Sequence, residues 1–257
     1  MSELDKMPLA DHLEVLRRML MRVAMVLVVI MVAVFCFKDE VFALLLAPKE
    51  YDFITFRTIE QLLHAMGNGF CFEPYDVQLI NTELSGQFMA HISTSFYVAL
   101  LIASPYILTE LMAFIMPALY ENEQRATRRT CIVMYALFAL GVLMNYFVLF
   151  PVSFRFLGTY QVSDAVTNAI TLDSYISSFS TLTFMMGLVF QLPVVARLLS
   201  HFGILSASMM RRYRRHALIG IMVLAALITP PDLFTLFLVT MPLYMLYEVS
   251  IWVVRGN

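Results

Sequence analysis

Residues 211–255 read RRYRRHALIGIMVLAALITPPDLFTLFLVTMPLYMLYEVSIWVVR, and this stretch decides the fold. A cluster of arginines opens it and a single arginine, Arg255, closes it. Between them lie two apolar runs separated only by Thr229-Pro230-Pro231-Asp232. Consecutive prolines cannot continue a helix, because each lacks an amide hydrogen and the ring clashes with the preceding turn. The segment therefore reads as a helical hairpin crossing an apolar medium twice, with its basic ends on one side.

The same reading extends toward the N terminus. Val23–Phe37, Thr130–Phe154, Ser174–Ala196 and His216–Pro231 contain no Asp, Glu, Lys or Arg. The 257 residues are 60% hydrophobic and 14% charged, with a mean hydropathy of +0.78. Soluble domains lie near ~45–50% apolar and ~25% charged, so the surplus requires lipid. Of 17 Lys and Arg residues, all but Lys38, Lys49, Arg57 and Arg155 fall at Lys6 to Arg22, Arg125 to Arg129, Arg197 to Arg215, and Arg255. Each neighbouring pair of these clusters is separated by two apolar stretches, so all share one face. The positive-inside rule assigns that face to the cytoplasm.

The expected fold is all-α: a polytopic membrane protein of six spans with both termini cytoplasmic. The spans are placed at 19–37, 89–116, 130–152, 174–199, 217–229 and 233–252, within a single membrane domain covering 1–257. Periplasmic connections are expected at 38–88, 153–173 and 230–232. The first is long enough to carry short structure of its own. The fifth helix, and the sixth with it, is expected to be short: about 13 residues rise only about 20 Å, against a hydrocarbon core near 30 Å. Kinks are expected at Pro193 and Pro242.

The basic start followed by a short apolar run has the outline of a signal peptide, but no small-residue cleavage site follows, so an uncleaved anchor is expected. A net charge of −2 argues against nucleic acid as a partner. Cys36, Cys71 and Cys131 lack metal-ligand spacing, and His12, His91 and His216 lie far apart, so no metal or cofactor is expected. A Cys36–Cys71 bridge remains open beside the reading of unpaired thiols. No phosphate-binding loop is present, which argues against nucleotide hydrolysis.

Three motifs carry a resemblance. Asp11-His12-Leu13-Glu14-Val15-Leu16-Arg17-Arg18 looks like an HLxELR element ahead of the first span. Ala113-Phe114-Ile115-Met116-Pro117-Ala118-Leu119-Tyr120-Glu121-Asn122-Glu123 is similar to AFxxPxLYxxE, and Ile228-Thr229-Pro230-Pro231-Asp232 to LTPPD. Ala47-Pro48, Phe150-Pro151 (ending span three) and Leu192-Pro193 fall in order between them. Together these resemble the TatC family, the signal-peptide receptors of the twin-arginine translocase.

That resemblance implies a non-enzymatic receptor that binds twin-arginine signal peptides of folded precursors with cytoplasmic-face carboxylates, in a system driven by the proton gradient. It implies an oligomeric complex with single-span partners of the TatA and TatB type in the bacterial inner membrane, among its lipids. A carboxylate accepts the planar fork of a guanidinium bidentately, which lysine cannot offer. Glu123 occupies the family's signal-binding position. Where the family has glutamate before Leu-Arg, this chain has Val15, so Glu14 or Asp11 is the candidate second acid. The plainer role for Glu14 is an i, i+4 pair with Arg18.

Arg17 and Phe114 complete the expected binding surface. Pro48, Pro117, Gln191, Pro230, Pro231, Asp232 and Glu248 are the expected structural or docking positions. Asp232 is also placed to cap the sixth helix, Glu110 is expected to be structural, and Gln191 stands where the family often has a glutamate. The rival reading is a small secondary transporter with a midplane site near Gln191. An intramembrane enzyme using Ser177 or Ser180 with His91 has no supporting motif.

Overall fold

The computed structural model describes residues 9–67, 71–115, 124–163 and 168–255. The backbone divides into two compact units, Met1–Lys38 with His91–Leu137, and Asp39–Ala90 with Phe138–Asn257.

In chain order the helices are α1 (Leu9–Cys36), α2 (Lys38–Leu46), α3 (Ile54–Ala65), α4 (Gly86–Ile115), α5 (Gln124–Met144), α6 (Phe150–Thr159), α7 (Leu172–Val189), α8 (Leu192–His201), α9 (Ala207–Arg212), α10 (Arg214–Ile228) and α11 (Leu233–Arg255). Two-residue strands β1 (Leu79–Ile80) and β2 (Ile170–Thr171) pair in parallel. Among the described residues, five stretches are long and apolar enough to cross a membrane: Leu13–Cys36, Gly86–Phe114, Thr130–Thr159, Leu172–His201 and Leu233–Val254. With α10 as the short sixth, the architecture is the expected all-α, six-helix membrane fold.

Helix α10 has 15 residues, a rise of about 22 Å. Its stop is local: Thr229 donates both its amide, at 2.9 Å, and its hydroxyl, at 3.0 Å, to the Ala225 carbonyl. Pro230 then pushes the preceding residue out of the helical region, and Thr229 is extended with ψ 156°. The chain restarts where Asp232 Oδ1 accepts the Thr235 amide at 2.6 Å, an N-cap that satisfies one of the helix's unpaired donors.

Two sequence expectations are corrected and a third is sharpened. The sixth helix is not short, because α11 has 23 residues and continues through Pro242. Span three does not end at Phe150-Pro151: a π-helical segment, Asn145–Leu149, feeds directly into α6 and carries helix on to Thr159. Proline is tolerated there because the Phe147 carbonyl, four residues back, which the missing Pro151 amide would have met, accepts the Thr55 hydroxyl instead. Span four bends at Pro193 as expected, and the bend is a full break: Phe190 and Gln191 interrupt the helix, and Pro193 lies in the first turn of α8.

In the first unit, Met19 and Val34 of α1, Ala99, Ala103, Leu108 and Met112 of α4 and Met134 of α5 are buried. Phe35 stacks on His91 with ring centroids 3.9 Å apart.

The second unit holds the larger core, built on an aromatic cluster. Phe150 meets Tyr175 and Phe179 edge-on at 5.1 and 4.9 Å, a favoured geometry for π quadrupoles. The long connection after α1 is folded onto this core. Tyr146 and Tyr175 donate their hydroxyls to the Leu44 and Leu45 carbonyls, at 2.8 and 2.9 Å. Carbonyls at a helix C terminus lack intrahelical partners, so these two phenols satisfy the end of α2. Pro48, in the 3₁₀ turn that follows, is fully buried. The Thr55 hydroxyl donates to the Phe147 carbonyl within the π-helical segment.

Candidate functional site

The described residues of the expected signal-binding set, Glu14, Arg17 and Phe114 among them, belong to the first unit. Helix α1 forms because Leu, Met and Val dominate it and no glycine or proline interrupts it. Its first turns carry Asp11, Glu14, Val15 and Arg17 on a polar start, and Glu14, Val15 and Arg17 are exposed. Glu14 accepts a hydrogen bond from Arg18 one turn on, with side chains 56% and 70% exposed. A solvated i, i+4 pair of this kind holds its partners weakly, so the Glu14 carboxylate is open to exchange.

Helix α4 brings the second group. Glu110 lies one turn before Phe114, which is half-buried near the end of that helix. Its carboxylate forms an ion pair with Arg22 Nη2 at 3.0 Å and accepts a hydrogen bond from the Tyr106 hydroxyl at 2.9 Å. The Glu110 side chain is 14% exposed and that of Arg22 is 59% exposed. Pro117, Glu123 and the side chain of Asp11 lie outside the described residues.

The remaining expected positions fall in the second unit. Gln191 is buried at the interruption of span four, and its Nε2 donates to the Gly187 carbonyl one turn back at 3.4 Å. Pro230 is half-buried and Pro231 exposed at the turn before α11. Glu248 pairs with Arg214 Nη2 at 2.7 Å, joining the start of α10 to the last turns of α11. That pair places both hairpin ends at one level, as an even number of crossings requires. The Tyr247 hydroxyl adds a second tie there, donating to the Met210 carbonyl at 2.8 Å.

Two features were missed in reading the sequence. The Arg22–Glu110–Tyr106 cluster had a partial signal, since Arg22 is the last charge before Val23–Phe37 and Tyr106 and Glu110 are spaced i, i+4. The second is Arg155, whose guanidinium carbon lies 5.0, 4.5 and 4.9 Å from the ring centroids of Phe56, Phe72 and Tyr75. Its Nη2 also donates to the Glu73 carbonyl at 2.9 Å. No local pattern announces it, because its partners lie some eighty to a hundred residues away.

The family model described as Sec-independent protein translocase protein (TatC) matches residues 11–242. The TatC of Deinococcus radiodurans is 35% identical over 250 residues, covering 97% of this chain and 86% of the relative. The TatC of Escherichia coli K12 is 32% identical over 255 residues, covering 99% and 91%. Two solved structures titled Twin Arginine Translocase Receptor TatC superpose with TM-scores of 0.75 and 0.76 at 28% and 29% identity. They cover 95% of this chain and 98% and 99% of their own.

Proposed function

The chain belongs to the TatC family of Sec-independent protein translocase proteins, and from that premise we propose how its own residues perform the receptor's task. As a TatC protein it is a multi-pass subunit of the bacterial inner membrane and acts in protein export as the twin-arginine receptor. Both termini, the start of α1 and the last turn of α4 face the cytoplasm, in keeping with the basic clusters. There the carboxylates take the two guanidinium groups of a signal peptide, with Glu123 as one ligand and Glu14 or Asp11 as the candidate second. Arg17 and Phe114 shape the surface around them.

The observation that carries this reading is the family match over residues 11–242, which spans every one of these acids. A charge-assisted fork between guanidinium and carboxylate accounts for selection of arginine over lysine. The spans dock single-span partner subunits of the TatA and TatB type, with Pro48, Pro117, Gln191, Pro230, Pro231, Asp232 and Glu248 holding the docking scaffold in shape. Passage of the folded cargo is driven by the proton gradient, and the chain itself performs no catalysis. A transporter site near Gln191 is not favoured, since the family match over residues 11–242 is to a translocase protein.

The test is photo-crosslinking from residue 123 to a twin-arginine signal peptide and to the same peptide carrying two lysines. Strong crosslinking of the first and loss of the second is expected; equal yields would refute recognition by a guanidinium fork. Export assays on Glu123→Gln, Glu14→Gln and Asp11→Asn, made separately, rank the acids.

A further inference from the structure

We infer that Glu110 is a further carboxylate ligand for a signal-peptide guanidinium, and that Arg22 occupies it until the signal arrives. The inference rests on the receptor reading above and adds an internal competitor to it. Glu110 already holds a guanidinium: Arg22 Nη2 is 3.0 Å from Oε2, while the Tyr106 hydroxyl lies 2.9 Å from Oε1. The Glu110 side chain is only 14% exposed, so a bare charge there is costly and a resident cation is required.

The resident is held loosely. Arg22 is 59% exposed, on the last polar turn before the charge-free stretch of α1, so little packing opposes release of its head to water. Replacing one guanidinium by another leaves the charge of Glu110 balanced throughout. Tyr106 keeps its hydrogen bond through the exchange and fixes the carboxylate's orientation. A lysine ammonium supplies charge but no planar fork, so it displaces Arg22 poorly.

The chain also has a reason to use this acid. Val15 stands where the family's element has glutamate, and Glu14, one residue away on another face of the helix, is a solvated carboxylate with its side chain 56% exposed. Glu110 is by contrast a shielded carboxylate one helical turn from Phe114, at the edge of the element that leads to Glu123.

The experiment measures binding of a fluorescent twin-arginine signal peptide to the full chain in nanodiscs. Arg22→Gln is expected to tighten binding about fivefold or more, the range typical of a coupled equilibrium. Glu110→Gln is expected to weaken it, and Arg22→Gln added to Glu110→Gln to change nothing further, since the competitor acts only through that acid. Arg22→Lys keeps the charge without the fork and should also tighten binding, which covers failure of either glutamine variant to fold. Unchanged or weaker binding in Arg22→Gln and Arg22→Lys overturns the inference. Loss of binding in Glu123→Gln alone, with every Arg22 and Glu110 variant neutral, removes this inference and leaves the receptor reading standing. If Glu123→Gln is neutral as well, the receptor reading falls.

Discussion

Asn145 donates its Nδ2 to Thr183 Oγ1 across 2.8 Å, and both side chains are shut away from solvent, at 0% and 2% exposure. The bond ties the π-helical segment of span three to span four. Thr183 in turn donates to the Phe179 carbonyl at 2.6 Å, so the amide feeds a hydroxyl that is already anchored. Interhelical hydrogen bonds in membranes contribute about 0.6 kcal/mol on average and up to about 1.7. Asn145→Ala is expected to cost about 1 kcal/mol in detergent unfolding, rather more than a surface change. Thr183→Val should cost less in that background than in the parent chain, since the shared bond is already gone.

Close approach of the same two spans predicts a graded glycine series. A Cβ on Gly141 would lie 2.5 Å from the Met186 carbonyl oxygen, which is backbone and cannot turn aside. A Cβ on Gly187 would lie 2.6 Å from the Phe138 ring, which rotates at some cost. Gly220 has nothing within 4 Å. Overpacking costs typically about 1–3 kcal/mol, so melting temperatures should fall most for Gly141→Ala, less for Gly187→Ala, and not at all for Gly220→Ala. An equal loss at all three positions would mean that helix propensity, not contact, sets the outcome.

Arg155 predicts how the long connection after α1 stays folded. Its guanidinium faces Phe56, Phe72 and Tyr75, and desolvated cation–π contacts contribute up to about 2 kcal/mol. Arg155→Ala should expose the 51–80 segment to protease while leaving the spans intact. Arg155→Lys should rescue little of this, because an ammonium cannot lie flat over three rings and also reach the Glu73 carbonyl. Limited proteolysis with mapping of the first cuts reads the difference directly.

The contrast between these features shows what was legible in the chain. The six apolar helices follow from Arg22, Arg125, Arg211 and Arg255, since charge placement is a local property that lipid enforces. The fifth helix was legible for the same reason: Pro230 and Pro231 end it wherever it is packed. The π-helical segment was not, because Asn145 takes that geometry through Thr183 and the Phe147 carbonyl through Thr55, partners far along the chain. Phe150-Pro151 looked like a stop because the Thr55 hydroxyl that takes the place of the missing amide at the Phe147 carbonyl comes from far along the chain. In the candidate site, Glu14 and Arg18 were readable as a helical pair, whereas Arg22 meeting Glu110 depends on two helices coming together.

Tyr75 predicts an alkaline transition in the same connection. Burial pushes its phenol from the ordinary 10 up to about 12, with Arg155 pulling down and Glu50 adding to the rise. A group whose folded pKa is raised contributes stability that is complete below its unfolded pKa and is lost as pH rises through the folded one. The window therefore runs from about pH 10 to about 12. The tyrosinate absorbance titration of the parent chain minus that of Tyr75→Phe should show one phenol titrating late, with protease sensitivity of the 51–80 segment in the parent rising in step. Among the described residues the Tyr75 hydroxyl is buried without a hydrogen-bond partner, so Tyr75→Phe keeps the ring over Arg155 and deletes only the titration. That variant should stay folded through the window, and a transition unchanged in it would assign the alkaline loss to another group.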